Sequence, residues 1–227
     1  MKLRLFFLPM IIALAAGLFS SCNTDGDNDN QMYANIVTFM ASNEQGSVFS
    51  FRPQDDEPMI TLTTAQRIPT DVFKLGTRVL LSYYTSLPAG ESGNIQVVGM
   101  SKILGGGDRL KEATAEETEN WRSDNITVQM LYRSGEYIDF GFICSADGVE
   151  NAFKFYVDKT TLESDYPECY MVLSGAVSGN TGLYYGSYCI DNIWNLPNIK
   201  GIKIHLPDSS QQNRVVTIEK NNIIKPV

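Results

Sequence analysis

Residues 136–158 read EYIDFGFICSADGVENAFKFYVD, and their alternation decides the fold class. Ile138, Phe140, Phe142 and Cys144 fall on one side of an extended chain. Phe153, Phe155 and Val157 do the same, against Lys154, Tyr156 and Asp158. Side chains of a strand alternate between faces, so each run has one apolar face to bury and one to wet. Asp147-Gly148 between them is a turn signal. Similar β-prone runs lie on either side, at 126–133, 168–175, 182–191, 199–207 and 214–220. Seven strands in about 95 residues is the spacing of a β-sandwich, and antiparallel pairing is expected.

Upstream, five more runs (33–41, 47–53, 59–64, 77–87 and 93–103) are punctuated by Asn43, Gly46, Pro53 to Asp56, Gly76 and Pro88 to Gly90. Five short strands in about 70 residues suit a small OB-like barrel. Val79, Leu81 and Tyr83 alternate with Arg78, Leu80 and Ser82, which are read as outward-facing. Between the two sets, 105–124 carries three glycines and many charges, which marks a linker. Thr114 and Glu117 have capping-box spacing within it, so a short helix could follow. The expected organisation is a signal peptide at 1–21, an acidic tether at 22–31, an OB-like domain at 32–104, the linker, and an antiparallel β-sandwich at 125–227.

The first 22 residues read as an address. Lys2 and Arg4 precede an apolar run from Leu5 to Phe19, and Ser20, Ser21 and Cys22 follow. This is the pattern of a lipoprotein signal peptide. The apolar run is shorter than the ~20 residues that span a bilayer. Acyl chains on Cys22 would hold the protein on a membrane. Asp25, Asp27 and Asp29 alternate with small polar residues, a composition suited to a tether. They resemble a calcium loop in spacing, but Asn30 and Ile36 stand where its Gly and Glu belong.

Lys2 and Arg4 are the only charges in 1–21, so 16 basic and 26 acidic residues remain, a net charge near −10. Neither nucleic acid nor an anionic headgroup would be attracted. Apart from Cys22, the cysteines are Cys144, Cys169 and Cys189, with no CxxC spacing. Parity turns Cys144 and Cys169 inward and Cys189 outward. Cys144 and Cys169 could form one disulfide or remain two buried thiols.

No residue set points to catalysis. His205 is the lone histidine, on the same side as Lys203 in IKIHLP, and no G-x-S-x-G elbow accompanies it. Gly105-Gly106-Gly107 lacks the Lys-Ser/Thr of a phosphate loop. Asp55/Asp56 and Glu116/Glu117 are adjacent, so their side chains diverge. The expectation is therefore no enzyme, no cofactor and no metal. Aromatic and Arg side chains remain as contact candidates: Tyr84, Tyr185, Trp194, Phe49 and Arg52. Tyr185 is expected to face out with Ser187 and Cys189.

Taken in order, the lipoprotein signal, FSFRP, LGTRVLLSYY, YIDFGF with AFKFYVD, and YMVLSG with YGSYCIDN resemble the NigD-like lipoproteins of Bacteroidota. The acidic stretch after Cys22 is also similar to the surface-export signal of lipoproteins from that phylum. SGAVSGNTG departs from the family in lacking a His, and Asp191 runs on into Asn192 rather than an apolar residue. The resemblance implies an OB-like domain, a β-sandwich and an outer-membrane lipoprotein of the cell envelope, with exposure at the cell surface a further expectation. It carries no catalytic residues, and it suggests a link to bacteriocin immunity or export. The expected partners are the membrane, through acylated Cys22, and a protein or, alternatively, a glycan.

Overall fold

Alternating apolar residues build strands in both halves of the chain. The computed structural model describes residues 31–114, 117, 126–145, 148–173, 179–207 and 214–220. The signal peptide, Cys22, Trp121 and the tether up to Asn30 lie outside these residues. The chain is all-β, with three sheets and two four-residue helices among the described residues.

The first sheet holds β1 (Gln31–Asn43), β2 (Gly46–Phe51), β3 (Ile60–Thr64), β4 (Arg78–Thr85), β5 (Gly93–Asn94) and β6 (Gln96–Lys102). Its order is β5-β3-β2-β1-β4-β6. Only Ile95 separates β5 from β6, and its N–H donates to the Thr63 carbonyl at 2.8 Å. One stretch of chain therefore supplies both edges, parallel to β3 at one end and antiparallel to β4 at the other. This is the strand order of an OB-like barrel. Phe39 and Phe49 stack in its core with centroids 5.4 Å apart. Gly46 turns β1 into β2 at φ 128°, and a Cβ there would lie 1.9 Å from the Thr64 carbonyl, so no side chain fits.

The second body follows from β7 (Lys111–Ala113), β8 (Thr127–Ser134), β9 (Tyr137–Ser145), α1 (Val149–Ala152), β10 (Phe153–Asp158), β11 (Glu168–Leu173), β12 (Thr181–Cys189), α2 (Asp191–Trp194), β13 (Gly201–Leu206) and β14 (Arg214–Glu219). A five-stranded sheet, β14-β13-β11-β10-β7, faces a three-stranded one, β12-β9-β8. Phe140, Phe142, Phe153 and Phe155 meet between them at centroid distances of 5.1 to 6.1 Å. Gly186 makes room for this cluster: a Cβ there would sit 2.2 Å from the Phe140 ring.

The sandwich is mixed, not antiparallel as expected. β7 runs parallel to β10, and β11 parallel to β13. Parallel neighbours need a crossover. Here β12 and α2 supply it, visiting the other sheet between β11 and β13. The stretch read as a linker also takes part. Leu104 N donates to the Tyr185 carbonyl, Ser187 N to the Leu104 carbonyl and Leu110 N to the Cys189 carbonyl, and β7 then completes the five-stranded edge. The capping box within it is formed: Glu117 Oε2 accepts from Thr114 N at 2.8 Å, and Thr114 Oγ1 accepts from Glu117 N at 3.4 Å.

Candidate functional site

The outer faces of the two bodies meet at two arginines. Arg78 opens β4 and points away from the barrel core. Asp139 on β9 and Ser187 on β12 are cross-strand partners on the outer face of the three-stranded sheet. The Arg78 guanidinium pairs with Asp139 through Nη2 and donates from Nε to Ser187 Oγ at 3.1 Å. Ser187 donates to Asp139 Oδ1 at 2.6 Å. All three are buried. Burial pushes the Asp139 carboxyl up, against the opposing pull of Arg78 and the Ser187 hydroxyl. The guanidinium also lies 4.6 Å from the Tyr137 ring centre.

Arg133, at the end of β8, makes the second contact. It donates to both Asp56 carboxylate oxygens, at 2.9 and 2.7 Å, and lies 4.7 Å over the Trp194 ring. This bidentate bond holds the Asp56 carboxyl below its ordinary range. Alongside, Asp55 N donates to the Arg133 carbonyl and Gly135 N to the Asp55 carbonyl, both at 2.7 Å. A cleft of about 520 Å³ opens between the two contacts, lined by Phe51, Arg52, Arg133, Tyr137, Trp194 and Lys220. Its charges are largely met from within. Arg78 and Arg133 have carboxylates, Arg52 donates to the carbonyls of Asp56 and Glu57, and Lys220 to that of Leu196. The cleft is built as a joint. Among the described residues no three His, Cys, Asp or Glu side chains gather to hold a metal.

Beyond the joint, the outer face of the three-stranded sheet turns apolar. Register places Leu183 beside Ile143, and Tyr185 beside Gly141 and Met130. A Cβ on Gly141 would lie 3.1 Å from Met130 Cγ and 3.3 Å from the Tyr185 ring, so both side chains lean over the glycine. Leu183 is 44 % exposed. The opposite sheet is polar on its outer face, with Lys154, Glu168 and Lys203. His205 is there too, stacked 4.3 Å from Tyr170, and its Nε2 is 3.2 Å from Glu168 Oε2.

The five contact candidates scatter. Arg52 and Trp194 come together at the cleft, but Trp194 is buried beneath Arg133 and presents no free ring. Phe49 is fully buried, because β2 turns Phe49 and Phe51 into the barrel. Tyr84 is exposed at the far end of the barrel, and Tyr185 is half-buried on the apolar face. Cys144, Cys169 and Cys189 are all free thiols, so Cys144 and Cys169 pack as small apolar groups. Ser187 shares the outward side with Tyr185, yet Arg78 covers it. Sequence reasoning missed Arg78, Asp139 and Arg133. The available signal was a charge inside an apolar alternation, which also describes a solvent face.

No family model matches the sequence, and a search of curated proteins finds no match. Solved structures do match. A protein of unknown function from Bacteroides vulgatus superposes with a TM-score of 0.62 at 15% identity, over 83% of this chain and 90% of that one. A NigD-like immunity protein from Bacteroides caccae gives 0.52 at 13%, over 81% and 91%. A candidate lipoprotein from Bacteroides fragilis gives 0.56 at 12%, over 84% and 99%. The chain thus shares the fold of a NigD-like protein, in line with the resemblance read from its sequence.

Proposed function

We propose that the protein is a non-catalytic lipoprotein of the cell envelope, held by acylated Cys22, which binds or shields another protein. The carrying observation is the apolar outer face of the three-stranded sheet, where Leu183, Ile143, Tyr185 and Met130 lie side by side. The outer face of an antiparallel sheet is ordinarily polar, and contiguous apolar surface marks an interaction site. The structural likeness to an immunity protein and a candidate lipoprotein supports the envelope setting, and self-protection against a secreted toxin fits the same face. A glycan platform is less well supported: Trp194 is buried, and Tyr84 and Tyr185 sit on different bodies. The test is capture from envelope extracts by the wild-type protein and by a Leu183→Glu/Tyr185→Glu variant. A stoichiometric protein is expected with the first and lost with the second, at unchanged thermal midpoint. Equal capture by both, or capture of nothing, overturns the reading.

A further inference from the structure

The barrel has a second uncharged surface, far from the joint. In β1 and β4, Met32 pairs with Tyr84 and Ala34 with Ser82, and Tyr84 pairs with Gln96 of β6. Tyr33, Tyr83 and Val97 face the barrel core, so Met32, Tyr84 and Val98 share the outer side. They are 43, 37 and 52 % exposed. None of Met32, Ala34, Ser82, Tyr84, Gln96 and Val98 carries a charge, in a chain that is strongly acidic overall. The second body attaches at Thr38 and Arg78, about six residues or ~20 Å further along the same strands.

The position of this surface in the chain is what selects its occupant. Gln31 pairs with Thr85 at this same end. Gln31 lies nine positions after Cys22, a reach of at most about 32 Å when fully extended. An acyl group on Cys22 therefore keeps this end of the barrel close to the bilayer. We infer that the Met32–Tyr84–Val98 surface faces the lipid and rests on its interface, with the sandwich pointing away. Tyrosine suits that position, with an apolar ring and a polar hydroxyl. Met32 and Val98 add apolar area, and the lack of charge spares a desolvation cost. The inference rests on the lipidation of Cys22.

The test uses the acylated full-length protein, extracted in detergent and reconstituted into phosphatidylcholine–phosphatidylethanolamine vesicles with or without brominated acyl chains. Tyr84→Trp places a fluorescent probe on this surface, and Val215→Trp places one on the exposed β14 edge of the sandwich. Emission is read as the difference from the parent protein, which cancels Trp121 and Trp194. Brominated lipid is expected to quench the barrel probe about twofold or more over the sandwich probe, and adding Met32→Asp/Val98→Asp should remove the excess. Equal quenching of the two probes in protein that floats with the vesicles overturns this orientation. So does a barrel probe shielded only at high protein concentration, which would mean a second copy covers the surface. Protein that fails to float overturns the lipid anchor itself, and the orientation with it.

Discussion

Arg78 is buried only because three groups from 61 to 109 positions further along the chain, or 40 positions back, come to meet it. A guanidinium taken out of water needs a counter-charge and hydrogen bonds, and the loss of one partner strands the other. Asp139→Ala is therefore expected to destabilise the fold by about 3–5 kcal/mol, measured by denaturant titration. Arg78→Met combined with Asp139→Leu should recover most of that loss. A small effect of Asp139→Ala would mean water reaches the pair. Residues whose role is packing were legible: Ile138, Phe140, Phe142 and Cys144 are all buried, as their parity demands. Arg78, Asp139 and Ser187 were not. A strand's outer face can meet water or another body, and alternation gives the same signal for both.

At the level of elements, the ribbon from β8 to Gly135 is joined to the β2–β3 connection by Arg133, which pairs with both Asp55 and Asp56, by the Ser134 hydroxyl, which donates to the Arg52 carbonyl, and by a short backbone bridge. Asp56 titrates lower in the fold than in the unfolded chain because Arg133 binds its ionised form. A depressed carboxylate adds stability that is full above its unfolded value, about 4, and is lost as pH falls through the folded value. Asp56→Asn should thus lower the thermal midpoint at neutral pH, and the gap to wild type should close in the acid range below about pH 4. A gap that persists unchanged in acid would assign the effect to packing. Strand positions were readable to within a residue or two in the runs around Phe155 and Ile204. The parallel pairings of β7 with β10 and β11 with β13 were not, since a strand's own pattern does not tell which neighbour it will find or in which sense.

At the scale of the whole molecule, the barrel and sandwich share the Arg78 and Arg133 contacts and a continuous run of backbone pairing from Leu104 to Ala113. They are expected to open together. In native-state hydrogen exchange, the amides of Phe39 and Phe140 should report opening free energies within about 0.5 kcal/mol of each other. A Phe39 amide that exchanges far ahead would show the barrel melting first. The strand at Lys111–Ala113 also limits how such a protein can be rearranged in evolution. It enters straight from the barrel yet serves as the last rung of the other body. Barrel and sandwich are for that reason not interchangeable cassettes. A gene break between codons 104 and 113 would leave the six barrel strands whole, since they end at Lys102, but would strip the sandwich of part of its margin, so recombination that preserves both must fall upstream of Leu104.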